Sequence, residues 1–549
     1  QLLSQAQESL AWLESLLGKP ARQAATGWLM FRGDPGRNAL SKTEGLLLRG
    51  KRLADSCGSA ALVSVVQGLG REHVEQFRVA LPRLYPLVVD NVVLARTATE
   101  LVALDLAAGR QLWSAPLEDA LRAQLEQSAE AAGRLQTEAA RQALRRRFWD
   151  DFSFGAITSD GRYVFGVEDL PFGFSADYPR MVVGPDGRRR LDTDALKQYN
   201  LLAAYDLRTG KLRWELGGPP GQNMRPLAGA YFLGPPLPLG GRLYVVAEIN
   251  NETRLLELEA DSAKLLANIQ LAVRDPLPSQ WQMQMFWGLP PWMLANFERR
   301  GASMPAAADG VLVCRTGDSQ YMAISLITRS ILWVYQVPDA EEPANPWMMG
   351  AIQRRKLLEA ASPDQANRWA DDTPTIAQGR VLLTPQDSHE LLCLDLYDGR
   401  LLWTAPRRDG IYLGGVVDDR VIVVGRGGIW ALNLADGHPA WQADRLPLPA
   451  GSLPSGFGLL TKDYYVLPLT SGEAATFDIR QGRLVSRSRS PDGIIPENLV
   501  AWNDVVLSHG VSGLWRFDTL ASARARLEEQ LKESPGNVQL LAEYCEVLL

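Results

Sequence analysis

Histidine, cysteine and paired carboxylates are the residues from which catalytic and metal sites are most often built, so their spacing comes first. The four histidines (His73, His389, His438, His509) include no close pair and no H-E-x-x-H. A zinc hydrolase needs two imidazoles on one helix face beside a glutamate base, and nothing here supplies them. Each histidine reads as a turn or strand residue. Cys57, Cys314, Cys393 and Cys545 form no C-x-x-C and no adjacent pair, which argues against both a cysteine zinc site and a disulfide scaffold. No G-x-S-x-G elbow occurs, and GVSG (510–513) reads as a strand turn. GRGG (425–428) reads as a hairpin turn rather than a phosphate loop. Asp371 and Asp372 could attract a cation, but their position suits a solvated strand entry. Arg145–Arg147 fit a helix C-terminus, where cations are favoured, and Arg188–Arg190 fit an exposed loop tip. No catalytic, cofactor-binding or metal residue is assigned.

The whole-chain arithmetic points the same way. At 549 residues the chain has room for about three or four domains of ~150 residues, or for one large repeat architecture. Hydrophobic residues at 46% and charged residues at 22% describe an ordinary folded protein. A net charge of −6 argues against nucleic-acid binding through a broad basic footprint. No apolar run approaches the ~18 residues of a membrane-crossing helix. The chain starts at Gln1, so it is expected to be processed or truncated, with any signal peptide already removed.

What must position any functional group is a repeat. ALDLAAGRQLW (103–113), AYDLRTGKLRW (204–214), AISLITRSILW (323–333), CLDLYDGRLLW (393–403) and ALNLADGHPAW (431–441) align without gaps. Degraded copies lie at 257–267, 476–486 and around 516–522. An apolar strand runs into Asp, whose carboxylate can bond backbone N–H groups of the turn. A glycine then closes the hairpin, and the next strand carries Trp113, Trp214, Trp333, Trp403 or Trp441. A tryptophan recurring at one register suits wedging between neighbouring sheets. With two more strands upstream, each unit is a four-stranded antiparallel sheet, A-B-C-D. The Asp-equivalent positions 105, 206, 259, 325, 395, 433, 478 and 518 give intervals as short as 38 residues, close to the ~40 of a propeller blade. The spacing predicts an all-β, eight-bladed β-propeller. The eighth unit lacks a D strand, and HVEQFRVAL (73–81) is expected to complete it, leaving no open edge.

These residues resemble a known family. Ala-x-Asp-x-x-Thr-Gly-Lys-x-x-Trp at 204–214 is similar to the tryptophan-docking motif of the pyrroloquinoline-quinone-like propeller repeat proteins. That group includes quinoprotein dehydrogenases and the outer-membrane assembly lipoprotein of Gram-negative bacteria. WLMFRGDPGRN (28–38) resembles the start of planctomycete envelope members. The quinone-dependent enzymes carry a vicinal Cys–Cys ring, acidic and Asn ligands for Ca²⁺, and an Asp base. This chain has no adjacent cysteines, so the resemblance implies a non-catalytic scaffold without cofactor. Such a scaffold would hold other envelope proteins, or copies of itself, in the periplasm or cell envelope, with room for peripheral association with a membrane. The alternative is a quinoprotein-like enzyme or small-ligand sensor using the central channel.

The domain plan that follows is an N-terminal helical segment (1–27), a lead-in (28–72), the propeller (73–520) and a helical tail (521–549). SPGNVQLLAEYCEVLL in the tail resembles the opening of a tetratricopeptide repeat. Insertions at 117–151, 217–230, 273–301 and 338–371 fall in D-to-A links, and 169–199 lies between B and C. Both kinds of connection emerge on one face, and the opposite face is expected to carry tight turns only. Segment 117–151 is helical by pattern. The aromatic- and Met-rich stretches 281–297 and 346–349 carry the candidate partner-binding residues Trp287, Trp292 and Trp347.

Overall fold

The computed structural model describes residues 26–548, apart from 44–45, 47, 58–59, 76–78, 118–140, 142–143, 169–180, 184–188, 192–198, 220–224, 274–302, 318, 339–367 and 387. Eight antiparallel sheets form an eight-bladed propeller. Blade 5 is the simplest. Its strands run Thr375–Ala377 (A), Arg380–Leu383 (B), Glu390–Asp395 (C) and Leu401–Pro406 (D), paired in that order. The inner strands are buried on both faces while D is half exposed, which is why apolar runs mark B and C and polar residues accumulate on D.

Each Asp-equivalent position is the last residue of a strand C, from Asp105 to Asp518. The Asp105 carboxylate accepts from the backbone N–H groups of Ala107 and Ala108 at 2.9 and 2.8 Å. Asp206, Asp395 and Asp478 repeat the arrangement. These bonds, that from Ala108 foremost, hold the Asp105 carboxyl below its ordinary range.

Ring closure differs from the expectation. The D strand of blade 8 is Gly50–Ala54, paired antiparallel with Gly513–Asp518, Gly50 opposite Phe517 and Ala54 opposite Leu514. The described residues of 73–81 contribute no strand. Ala60–Glu75 is a helix, here α1, and 79–81 are extended coil. Helical spacing of Leu62, Val66 and Leu69, all buried, overrides the short alternation read at 73–81. The lead-in is therefore part of the ring, whose strands begin at Gly27 rather than at 73.

The tight-turn face is also more than turns. Residues 26–43 enter the ring there and touch every blade. Gly27–Trp28 pairs with strand A of blade 1. Leu29 O accepts from Ser159 N in blade 2, and Met30 sits among Tyr231 and Leu233 of blade 3. Pro35 O and Gly36 O accept from Ala307 N and Ile376 N at 2.8 Å. Asn38 makes two bonds to the Val416 backbone, Ser41 N donates to Leu460 O, and Thr43 Oγ1 donates to Asn503 O. The tail leaves from the same side. Helix α2 (Leu520–Glu533) starts at the end of strand C of blade 8, capped by Thr519, and α3 (Val538–Leu548) packs on it.

Candidate functional site

Three places were open to function: the seams between blades, the ring axis, and the face bearing the insertions.

The seams take the repeated tryptophans. Trp113 Nε1 donates to Leu207 O, Trp214 to Ala260 O, Trp333 to Leu396 O, Trp403 to Leu434 O and Trp441 to Ile479 O, each at 2.9 Å. Every acceptor is the carbonyl that follows the Asp-equivalent residue of the next blade. The indole lies over the hairpin glycine of that blade where one is present. At Gly437 (φ +74°) a Cβ would stand 2.6 Å from the Trp403 ring. Trp113, Trp333, Trp403 and Trp441 are buried, and Trp214 is half-buried.

The three seams without tryptophan use other chemistry. Between blades 8 and 1, Arg516 Nη1 donates to Leu106 O and Ala107 O at 2.8 and 2.9 Å, and Leu53 covers Gly109. Between blades 3 and 4, where Ala267 replaces tryptophan, Arg329 of blade 4 pairs with Glu257 of blade 3 at 2.8 Å. Between blades 7 and 8, where Ser486 stands, buried Leu46 and Leu48 of the lead-in fill the gap against Leu459, Val466 and Phe517.

The axis is filled by the chain itself. Phe31 meets Tyr85, Phe152 and Phe457 edge-on, with centroids 4.7–5.1 Å away. Tyr412 adds its ring to Phe457 at 4.7 Å. Arg32 donates to Thr375 Oγ1 at 2.7 Å and to Leu413 O at 2.8 Å, and pairs with Asp371 at 3.2 Å. Asp372 pairs with Arg315. Asp371 and Asp372 are each 2% exposed, so the expectation of a solvated entry is corrected: two guanidinium groups are the cations they hold. Arg37, fully buried, donates to Pro305 O and Phe31 O. Among these groups a cavity of about 30 Å³ remains, room for a water molecule. Small-molecule pockets occupy about 300–1,000 Å³. This cavity among the described residues therefore does not fit a pyrroloquinoline quinone, the cofactor the wider repeat group implies. Sequence reading missed this role for 28–38; the signal was a charged, Gly- and Pro-containing stretch with Trp28 and Phe31 embedded in it.

The insertion-bearing face is built up over blades 8, 1 and 2. Helix α1 packs on a π-turn, Arg146–Asp150, and on Phe152–Gly155. Arg147 is buried, stacked on Phe154 with its guanidinium 4.4 Å from the ring centroid and donating to Ala98 O. It thus belongs to a packed junction. GRGG and GVSG are the B–C turns of blades 6 and 8, as read. Beside α1 lies a cleft of about 620 Å³, lined by Val63, Gln67, Trp149, Ile494, Val511 and Trp515 among others. Beneath it Glu497 accepts from Val511 N, Ser512 N and Ser512 Oγ at 2.8–3.0 Å. Burial outweighs those bonds and pushes its carboxyl up to about 6. His509 is buried too, and burial lowers its imidazole to about 3.

Cys57, Cys314 and Cys393 are buried thiols pushed up to about 12 by burial. Among the described residues no cluster of His, Cys, Asp or Glu could hold a metal, and no helix is long and apolar enough to cross a membrane. Trp287, Trp292 and Trp347 lie outside the described residues.

No curated protein sequence matches the chain. Among solved structures, BamB from Moraxella catarrhalis is similar at 15% identity and TM-score 0.43, over 79% of this chain and 93% of that one. A europium-containing methanol dehydrogenase is similar at 12% identity and TM-score 0.49, over 91% of each chain. The quinohemoprotein alcohol dehydrogenase from Comamonas testosteroni gives 12% identity and TM-score 0.47, over 92% of this chain and 82% of that one. The family model described as outer membrane protein assembly factor BamB matches residues 200–354 and 347–505, together more than half of the sequence. With its repeats, eight blades and docked tryptophans, the chain is a PQQ-like β-propeller repeat protein and belongs to this family.

Proposed function

We propose that the protein is a non-catalytic propeller scaffold of the cell envelope, holding partner proteins or copies of itself through its insertion-bearing face and terminal helices. The observation that carries this reading is the filled axis. Where a channel-binding propeller keeps a pocket, this chain lays residues 26–43 against all eight blades and closes the centre with Phe31, Tyr85, Phe152 and Phe457. What remains accessible is the loop surface, and loops on a rigid frame are the usual carriers of binding. Family membership supports the envelope setting. Trp287, Trp292 and Trp347 are the proposed anchors, because aromatic side chains dominate interface energetics.

Affinity capture from envelope extracts, or self-association followed by analytical ultracentrifugation, tests the proposal with wild type and a 281–293 deletion. The deletion is expected to keep the propeller's circular dichroism and melting transition while weakening capture or assembly. Unchanged capture by the deletion variant overturns the assignment of that face. Stoichiometric binding of pyrroloquinoline quinone with Ca²⁺ overturns the non-catalytic reading itself.

A further inference from the structure

The cleft beside α1 is set apart from the axis by its size, its lining and the charge at its mouth. Its walls come from D–A links, B–C turns and the outer strands of blade 8, and they bring together Val63, Trp149, Ile494, Val511 and Trp515. At about 620 Å³ it has the volume of a single-ligand pocket.

The polar groups on its lining are unequal. Glu497 is only 6% exposed, and both of its oxygens are already engaged by the blade 8 turn. Asp492 is the one other acid among the lining residues. Against it stand two cations. Arg52 is paired with Asp55 and lies over the Trp515 ring with its guanidinium 5.9 Å from the centroid. Arg71, exposed on α1, has no hydrogen bond or ion pair with any described residue. A lone guanidinium at the mouth of an apolar cleft complements an anion attached to an apolar body, since charge-assisted bonds to carboxylate or phosphate are its strongest contacts.

We propose that this cleft binds a single-chain amphiphilic anion, its apolar chain against Trp149, Ile494 and Trp515 and its carboxylate or phosphate on Arg71. The chemistry is shared by a free fatty acid and by the headgroup and chain of an anionic lipid. The pairing does not rest on the scaffold reading, because of the insertions it uses only Trp149 and nothing of 281–297 or 346–349.

Isothermal titration of the full chain, below micelle-forming concentrations, compares dodecanoate with dodecyltrimethylammonium. Dodecanoate is expected to bind with one site per chain and the ammonium not to bind. Arg71→Glu, at an exposed helix position that leaves the fold intact, is expected to weaken dodecanoate at least about tenfold, the loss of one charge-assisted bond. Val63→Trp is expected to abolish binding by filling the cleft, with the melting curve as control. Flotation with phosphatidylglycerol vesicles identifies the source: co-flotation lost in Arg71→Glu assigns a membrane lipid, and no flotation with intact dodecanoate binding assigns a free acid. No heat with dodecanoate, equal binding of the ammonium, or an unchanged affinity in Arg71→Glu overturns the proposal.

Discussion

The indole nitrogen of Trp403, on strand D of blade 5, lies 2.9 Å from the carbonyl oxygen of Leu434 in blade 6. Leu434 follows Asn433, the residue that ends strand C there. One bond thus ties a side chain to the backbone of the next blade's C–D turn, and the same bond recurs at four other seams. The seams are locked by register and not by area alone.

Truncation of Trp403 to Ala removes a buried side chain and one of the two donors to the Leu434 carbonyl, the Arg380 guanidinium remaining. A loss of roughly 3–5 kcal/mol is expected, read by chemical denaturation. An unchanged melting temperature would remove the seam role from this residue.

Arg516 should carry a smaller version of the same load. Arg516→Met leaves the carbonyls of Leu106 and Ala107 without their side-chain donor and is expected to cost about 1–3 kcal/mol. Because Arg516 lies on the strand that pairs with Gly50–Ala54, proteolysis near residues 50–54 should rise in parallel, measurable by limited digestion.

The Arg32–Asp371 pair on the axis makes a sharper case. Arg32→Met strands a carboxylate that is 2% exposed, with an expected loss of about 3–5 kcal/mol. Adding Asp371→Asn should recover part of it, and a double-mutant cycle over the two positions should give a coupling of about 0.5–3 kcal/mol. Additive single losses would show that the two do not act as a pair.

Glu497 gives a pH signature of defined sign. Its carboxyl is raised from 4.5 to about 6 by burial, so the folded state binds the proton more tightly than the unfolded chain. Its contribution is fully present below about 4.5 and fades as pH rises through about 6, a change on the order of 2 kcal/mol. The stability difference between wild type and Glu497→Gln should therefore fall between pH 4.5 and 7. A difference that is flat with pH, measured by denaturation at each pH, contradicts the assignment.

How much of this could be read in the sequence follows from where the information lies. The Asp–turn–Gly–Trp unit is local: a carboxylate, a left-handed glycine and an indole within eleven residues announce the hairpin and its wedge, and five tryptophan-bearing copies with three degraded ones announce eight blades. The closing strand was not legible, because Gly50–Ala54 reads GKRLA. It is an outer strand on which Lys51 and Arg52 face solvent, so its partners and not its polarity make it a strand. Asp371 and Asp372 were misread for a similar reason. Their neighbours in sequence suggest a solvated entry, but the arginine that buries Asp371 stands 339 residues away. At the weak repeats ending in Ala267 and Ser486 the seams are occupied instead by Glu257–Arg329 and by the pair Leu46 and Leu48. Substitution by unlike chemistry leaves no motif.

The closure of blade 8 by Gly50–Ala54 also fixes an order of events. During synthesis the strand that seals the ring, Gly50–Ala54, emerges before all the other blades and long before its partner, Gly513–Asp518. Until then the lead-in has no finished inner wall to lie against, and the inner edge of blade 1 has no neighbour on one side. Pairings so distant in sequence form slowly, and unpaired edges are the dangerous species in large folding chains. A nascent molecule therefore depends on protection of the 26–54 stretch until blade 8 has been made, and a chain interrupted before Gly513 cannot close its ring.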